Sequence, residues 1–165
     1  LTPIFGSIYD NRGRGASIMI LGAVLLFIVH SVFYMPFITH VVAAFFNVIL
    51  LGIAFSLVPS AMWPSVPKII PEKQLGSAFA LIFWVQNFGL WGIPLAVGIV
   101  LDRTNPGVAE AKNAGEMVNY DYQSTWTIFV ALTVLAILVS IWLKAEDKRK
   151  GYGLELPNIK KQNTE

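Results

Sequence analysis

No cysteine occurs in the 165 residues, which excludes disulfides, thiolate zinc sites and a cysteine nucleophile at once. Histidine occurs only twice, too few to build a His-rich zinc site. Charge is scarce as well. Asp, Glu, Lys and Arg make up 13% of the chain, about half the roughly 25% of a soluble domain, which argues against a water-solvated surface. A net charge of +2, with no basic patch beside aromatics, excludes a nucleic-acid partner. No acid pair, metal cluster or Ser–His arrangement falls inside an apolar stretch, so neither an intramembrane enzyme nor a bound cofactor is expected. What the chain has in abundance is apolar surface, at 55% hydrophobic residues.

The spacing of the few charges sets the architecture. Nothing charged lies between Arg14 and Lys68, between Lys73 and Asp102, or between Asp121 and Lys144. A helix rises about 1.5 Å per residue, so about 20 residues cross a hydrocarbon core about 30 Å thick. The first run is long enough for two crossings and a turn, and Met35–His40 supplies the turn because Pro36 breaks the helix ladder. The expected fold is an all-α membrane protein with complete spans at 16–34, 41–63, 75–101 and 126–143. The apolar segment 1–9 is too short to cross and reads as the end of a fifth helix. Residues 1–150 then form one transmembrane bundle and 151–165 a polar tail.

Basic residues fall unevenly across the loops. Arg12, Arg14, Lys68, Lys73 and all those from Lys144 onward share one side, whereas Arg103 and Lys112 lie on the other. The positive-inside rule therefore predicts that loops 10–15 and 64–74 and the C-terminus are cytoplasmic. Loop 102–125, with a short helix near 108–117 and no glycosylation sequon, then faces outside or into a lumen. Tyr120, Tyr122 and Trp126 stand where an aromatic belt is expected. Lys148–Lys150 serve equally as an orientation signal or an anionic-lipid contact.

The loop after the first segment reads Gly6-Ser7-Ile8-Tyr9-Asp10-Asn11-Arg12-Gly13-Arg14, of the form G-x-x-x-D-x-x-G-R. Gly6 permits close backbone approach and Gly13 a positive φ. Asp10 and Arg14 are spaced to pair across the turn, and Asp10 is favoured at a neighbouring helix N-terminus. As a bland alternative, these charges simply anchor the loop at the headgroups. The signature resembles that of the major facilitator superfamily, departing at Gly15, where the family usually has a second basic residue. Trp63 to Ala78 resembles the loop entering helix eleven of that family. Gln86-Asn87-Phe88-Gly89-Leu90, followed by Gly92, Pro94, Gly98 and Leu101-Asp102, resembles helix eleven itself. The likeness is greatest to the branch of lysosomal dipeptide-uniporter-like facilitators and their microbial relatives.

The resemblance implies part of a twelve-helix carrier, from the end of helix eight to helix twelve. It also implies a preceding helix bundle as partner, a small-molecule solute, alternating access, and a place in a plasma, bacterial inner or lysosomal-type membrane. Gly6, Asp10, Arg12, Gly13 and Arg14 would then form the gating motif, and the second and third spans would line the cavity.

Those two spans also carry the costly polar groups. Gly52, Ser56 and Ser60 share one helix face and suit close packing, while Ser56 is also a cavity candidate. Asn47 needs several partners, so lining a cavity and bridging to a neighbouring helix both remain open. In the third span Phe83, Asn87 and Trp91 form a stripe flanked by Trp84 and Gln86, which makes these five candidates for solute contact, against an ordinary interhelical bond. Gly89, Gly92 and Pro94 mark a hinge, since Pro94 frees a backbone carbonyl. Thr127, Thr133 and Ser140 can satisfy themselves on their own helix. With no acid at depth to pair with, His30 and His40 read as interface anchors rather than proton relays. The competing class is a non-transporting membrane scaffold, which predicts that the four spans suffice alone. The reading frame upstream of Leu1 discriminates the two.

Overall fold

The computed structural model describes residues 1–35 and 40–159. The turn expected at Met35–His40 falls mainly on residues 36–39, outside the described residues. Six α-helices follow one another: α1 (Thr2–Arg12), α2 (Gly15–Tyr34), α3 (Val41–Ile69), α4 (Leu75–Thr104), α5 (Val108–Asn113) and α6 (Gln123–Lys150). No strand occurs among the described residues. By length and composition α2, α3, α4 and α6 can each cross a membrane. These agree with the four expected spans, and α5 ends four residues before the Met117 expected as its limit.

The boundaries differ from expectation where charge and proline were taken as stops. α3 continues beyond Trp63 through Pro64 and Pro67 to Ile69, shortening the expected 64–74 loop to Ile70–Pro71 and a 3₁₀ turn at Glu72–Gln74. Each proline removes one ladder bond, but burial holds the segment helical. Ser60, Ala61, Ser65 and Val66 are buried, and the hydroxyls of Ser60 and Ser65 donate to the carbonyls of Leu57 and Ala61. α6 likewise runs past Leu143 to Lys150, its charged last turns held by Glu146 paired to Arg149 (2.7 Å) and Lys150 (3.1 Å). α1 continues to Arg12, and the carbonyl of Tyr9 accepts from the Gly13 amide at 2.7 Å.

α2 is the centre of the packing, with α3 on one flank and α6 on another, while α1 lies against α3. Gly22 sets the approach of α2 to α3. A Cβ there would stand 2.7 Å from Val58 Cγ2 and 3.3 Å from the Ala54 carbonyl oxygen. The small-residue stripe expected on α3 does not do this work, because Gly52 has nothing within 4 Å of its missing Cβ. Gly22→Ala should therefore destabilise the bundle by about 1–3 kcal/mol through overpacking, read as a lowered thermal midpoint in detergent. Gly52→Ala should not lower it.

Toward α6, the His30 ring stacks on Phe129 at 5.5 Å and Phe33 stacks on Trp126 at 4.7 Å. His30 Nδ1 donates to the Leu26 carbonyl of its own helix at 2.8 Å, and it is the ring's stack on Phe129 that ties α2 to α6. The amide of Val42 donates to His40 Nδ1, making that imidazole the cap of α3. α4 contacts mainly α6, touches α3 little and contains no buried residue.

The loops sort to two ends. Asp10, Lys68 and the residues after α6 meet at one end, through bonds joining Asp10 to Asn158 and Lys68 to Gly153. The other end holds the loop between α4 and α6. There the side-chain amide of Asn105 donates to the Asp121 carbonyl, and Asp121 N–H donates back to Asn105 Oδ1 at 2.7 Å. The helices thus alternate as the charge map requires, with the basic residues concentrated at the first end.

Candidate functional site

Two surfaces carry the polar residues singled out above: the open face of α4 and the loop between α1 and α2. On α4, Trp84, Asn87, Phe88 and Trp91 line a groove of about 300 Å³. These positions lie at i, i+3, i+4 and i+7, the spacing that brings side chains to one helix face. Trp84 and Phe88 meet edge to face at 4.6 Å. Asn87 Nδ2 donates to the Phe83 carbonyl at 2.8 Å, which leaves its side-chain oxygen without a partner among the described residues. Aromatic faces beside an amide oxygen suit a small solute with apolar surface and a hydrogen-bond donor.

Phe83 belongs elsewhere. A strict four-residue spacing drifts around a 3.6-residue helix, and Phe83 turns toward α3, where its ring stands 5.3 Å from Trp63. Gln86 faces a second cavity of about 390 Å³, shared with Phe55, Met62, Trp63 and Ser140 among others. Gln86 and Asn87 thus serve different spaces.

The other polar candidates find hydrogen-bond partners among the helices themselves. Asn47 is buried, and its Nδ2 donates to the Val29 carbonyl of α2 at 3.0 Å; of the two readings left open, it makes the interhelical bridge. Ser56 donates to the Gly52 carbonyl of its own helix. Thr133 and Ser140 do the same on α6. Gly89, Gly92 and Pro94 lie within the continuous helix α4.

The α1–α2 loop departs furthest from expectation. Among the described residues Asp10 and Arg14 form no ion pair. Asp10 Oδ1 instead accepts from Asn158 Nδ2 at 2.7 Å, and its backbone carbonyl accepts from the amides of Asn158 and Ile159. Gly6 has nothing within 4 Å of its missing Cβ, so among the described residues no backbone of another element approaches it. Gly13 does adopt positive φ, at +70°, and Arg14 follows at +66° as the N-cap of α2. Arg12 and Arg14 are exposed and line a cavity of about 510 Å³ with Ile8, Gly13 and Ile18.

The segment after α6 packs into this loop rather than trailing away. Leu154 is fully buried, and its carbonyl accepts from the Gly15 amide at 2.8 Å. A Cβ on Gly15 would lie 2.6 Å from the Tyr9 ring and 2.8 Å from the Leu154 carbonyl oxygen. The position where the family's pattern has a basic residue is thus the floor on which Leu154 rests. Glu155 accepts from the backbone N–H of Ser17 at 2.9 Å and from its hydroxyl. A carboxylate therefore caps α2, which has no side-chain cap from its own Arg14. Lys68 Nζ donates to the carbonyls of Gly153 and Leu156 and lies 5.0 Å from the Tyr9 ring centroid. Leu154 and Glu155 were not singled out in the sequence, and Tyr9, Gly15 and Lys68 were noted there only as parts of the signature and the charge map. Two leucines between glycines and Pro157 in a polar tail were the available signal, because apolar residues there imply a docking surface.

A family model described as Major Facilitator Superfamily matches residues 1–161. Curated relatives include the lysosomal dipeptide transporter MFSD1 of Gallus gallus, 34% identical over 108 residues, covering 62% of this chain and 22% of that protein. The Danio rerio protein of the same name is 28% identical over 155 residues, covering 94% of this chain and 29% of the relative. The Homo sapiens protein is 33% identical over 108 residues, 62% of this chain and 21% of the relative. The chain thus spans under a third of the length of these relatives. No solved structure matches.

Proposed function

The chain belongs to the Major Facilitator Superfamily, and from that premise we propose that it forms part of a secondary carrier moving a small organic solute by alternating access. The relatives are named dipeptide transporters, which makes a dipeptide the leading solute class. The observation that carries this reading is the face of α4. It presents Trp84, Phe88 and Trp91 around Asn87, and no helix among the described residues covers it. A second helix bundle from the same carrier would close the other wall, so that a solute sits between bundles near the bilayer midplane. Asn87 would accept a donor from the solute while the indole rings pack on its apolar part. Gly89, Gly92 and Pro94 would let α4 bend as the two bundles rock, and Asp10, Arg12 and Arg14 would belong to the gate at the basic end. The excess of Lys and Arg at that end supports a cytoplasmic assignment for it.

Uptake by the complete protein in lipid vesicles tests the reading, with dipeptides, sugars and organic anions offered separately. Saturable dipeptide uptake is expected; absence of uptake for all three classes would sink it. Asn87→Ala should lower kcat/KM for uptake about tenfold, the equivalent of one lost hydrogen bond of about 1.4 kcal/mol. Membrane insertion should be unchanged. Asn47→Ala should instead lower the thermal midpoint, because it removes the bridge to Val29.

A further inference from the structure

We propose that Gly151–Ile159 is a reversible strap: docked, it fixes the α1–α2 loop and slows the carrier, and solute movement requires it to let go. The inference rests on the carrier reading above. Its basis is where the loop's backbone groups find partners. Helix ends leave carbonyls and amides without intrahelical bonds. Here the last turn of α1 offers the Asp10 carbonyl, which is taken by the amides of Asn158 and Ile159. The start of α2 offers the amides of Arg14, Gly15 and Ser17, taken by the Glu155 carbonyl, the Leu154 carbonyl and the Glu155 carboxylate. Lys68 adds α3 by holding Gly153 and Leu156, and Asp147 Oδ1 adds α6 by accepting from the Leu154 amide. One short segment thereby joins the ends of four helices.

The same inventory explains why docking is reversible. Leu154 is the segment's one fully buried side chain, and residues 156–159 are exposed. The remaining anchors are hydrogen bonds that water can replace once the segment lifts, so each favours the docked state only slightly. Segments with few apolar contacts and solvent-exposed backbone bonds open far more readily than helix cores. Gly151 and Gly153, both at positive φ, give the segment its bend next to rigid α6. The loop it grips is only Gly13 and Arg14, both also at positive φ. Any separation of the α2 start from the α3 end must therefore break either the Glu155–Ser17 or the Lys68–Gly153 bond.

A direct test is made in the complete protein, with any cysteine outside these 165 residues first replaced by serine. Ser17→Cys and Glu155→Cys are introduced together and bridged by a short bifunctional thiol reagent. Two readouts follow, before bridging, after it, and after chemical release. Hydrogen exchange at the amides of Arg14 and Gly15 should slow at least tenfold on bridging. Vesicle uptake of alanylalanine should fall at least tenfold and recover on release. Unchanged exchange overturns the proposal, because it means the strap was never leaving. Slowed exchange with unchanged uptake overturns it too, because release would then be irrelevant to transport. Absence of uptake before bridging, for alanylalanine and other solutes alike, counts against the carrier reading instead. In that case the exchange readout still decides whether the strap opens.

Discussion

Gly13→Ala is expected to destabilise the basic end by at least about 2 kcal/mol, although it adds a single methyl group. Gly13 sits at φ +70° and ψ −139°, close to a region that is essentially closed to residues with a Cβ and costs about 1–3 kcal/mol when forced. The methyl would also lie 2.6 Å from the Leu156 carbonyl carbon and the Pro157 nitrogen. Both are backbone atoms and cannot swing aside as a side chain would. The segment must therefore shift or leave. Gly6→Ala, in the same signature, should behave oppositely. It lies within α1 with open space at the Cβ position, so helix propensity alone predicts a gain of up to about 1 kcal/mol. Thermal unfolding of both variants in detergent checks the pair. Equal midpoints for the two would contradict the docked geometry around Gly13.

Leu154→Asp should detach the segment while leaving the four-helix bundle intact. Fully burying a leucine contributes about 1.5–3 kcal/mol, and an isolated carboxylate in its place would be strongly unfavourable. The chain avoids that penalty by undocking, so the measured loss is limited to the docking free energy. Undocking also removes the Leu154 bond to Asp147 at the end of α6. Trypsin cleavage at Lys148–Lys150 should accelerate at least tenfold, with α2–α3 packing unaffected. Leu154→Met, which nearly conserves volume and is expected to cost under about 1.5 kcal/mol, should be cleaved at the rate of the parent chain. Equal cleavage of all three would mean that Leu154 anchors nothing.

Both predictions turn on contacts made by the segment that composition presented as a polar tail: Gly13 lies under its backbone and Leu154 is its buried anchor. The reason lies in the kind of information each position carries. A charge-free run of about 20 residues is a local property, so α2, α3, α4 and α6 were legible as crossings without any knowledge of their neighbours. The same holds for the positive φ at Gly13 and for the hydroxyls of Thr133 and Ser140 bonding within their helix. Spacing along one helix was less reliable. Phe83 and Asn87 stand four apart, yet the rotation of the helix and the ring of Trp63 draw Phe83 away from the groove.

The signature loop shows the limit most plainly. Asp10 and Arg14 are spaced to pair, but Asn158, 148 positions away, reaches the carboxylate instead. Asn47 could have faced a cavity or a helix, and the choice fell to the Val29 carbonyl across the α2–α3 contact. α3 continued through Pro64 and Pro67 because packing against α1 outweighed the lost ladder bonds.

The amino-acid order by itself determined that this chain crosses a membrane four times and that its basic loops gather at one end, because transfer of charge into hydrocarbon is costly for each residue separately. Only the tertiary structure decided which polar groups are spent on packing, which remain open on α4, and what holds the α1–α2 loop. Those outcomes depend on hydrogen-bond partners far apart in sequence, and a partner is selected by proximity in space.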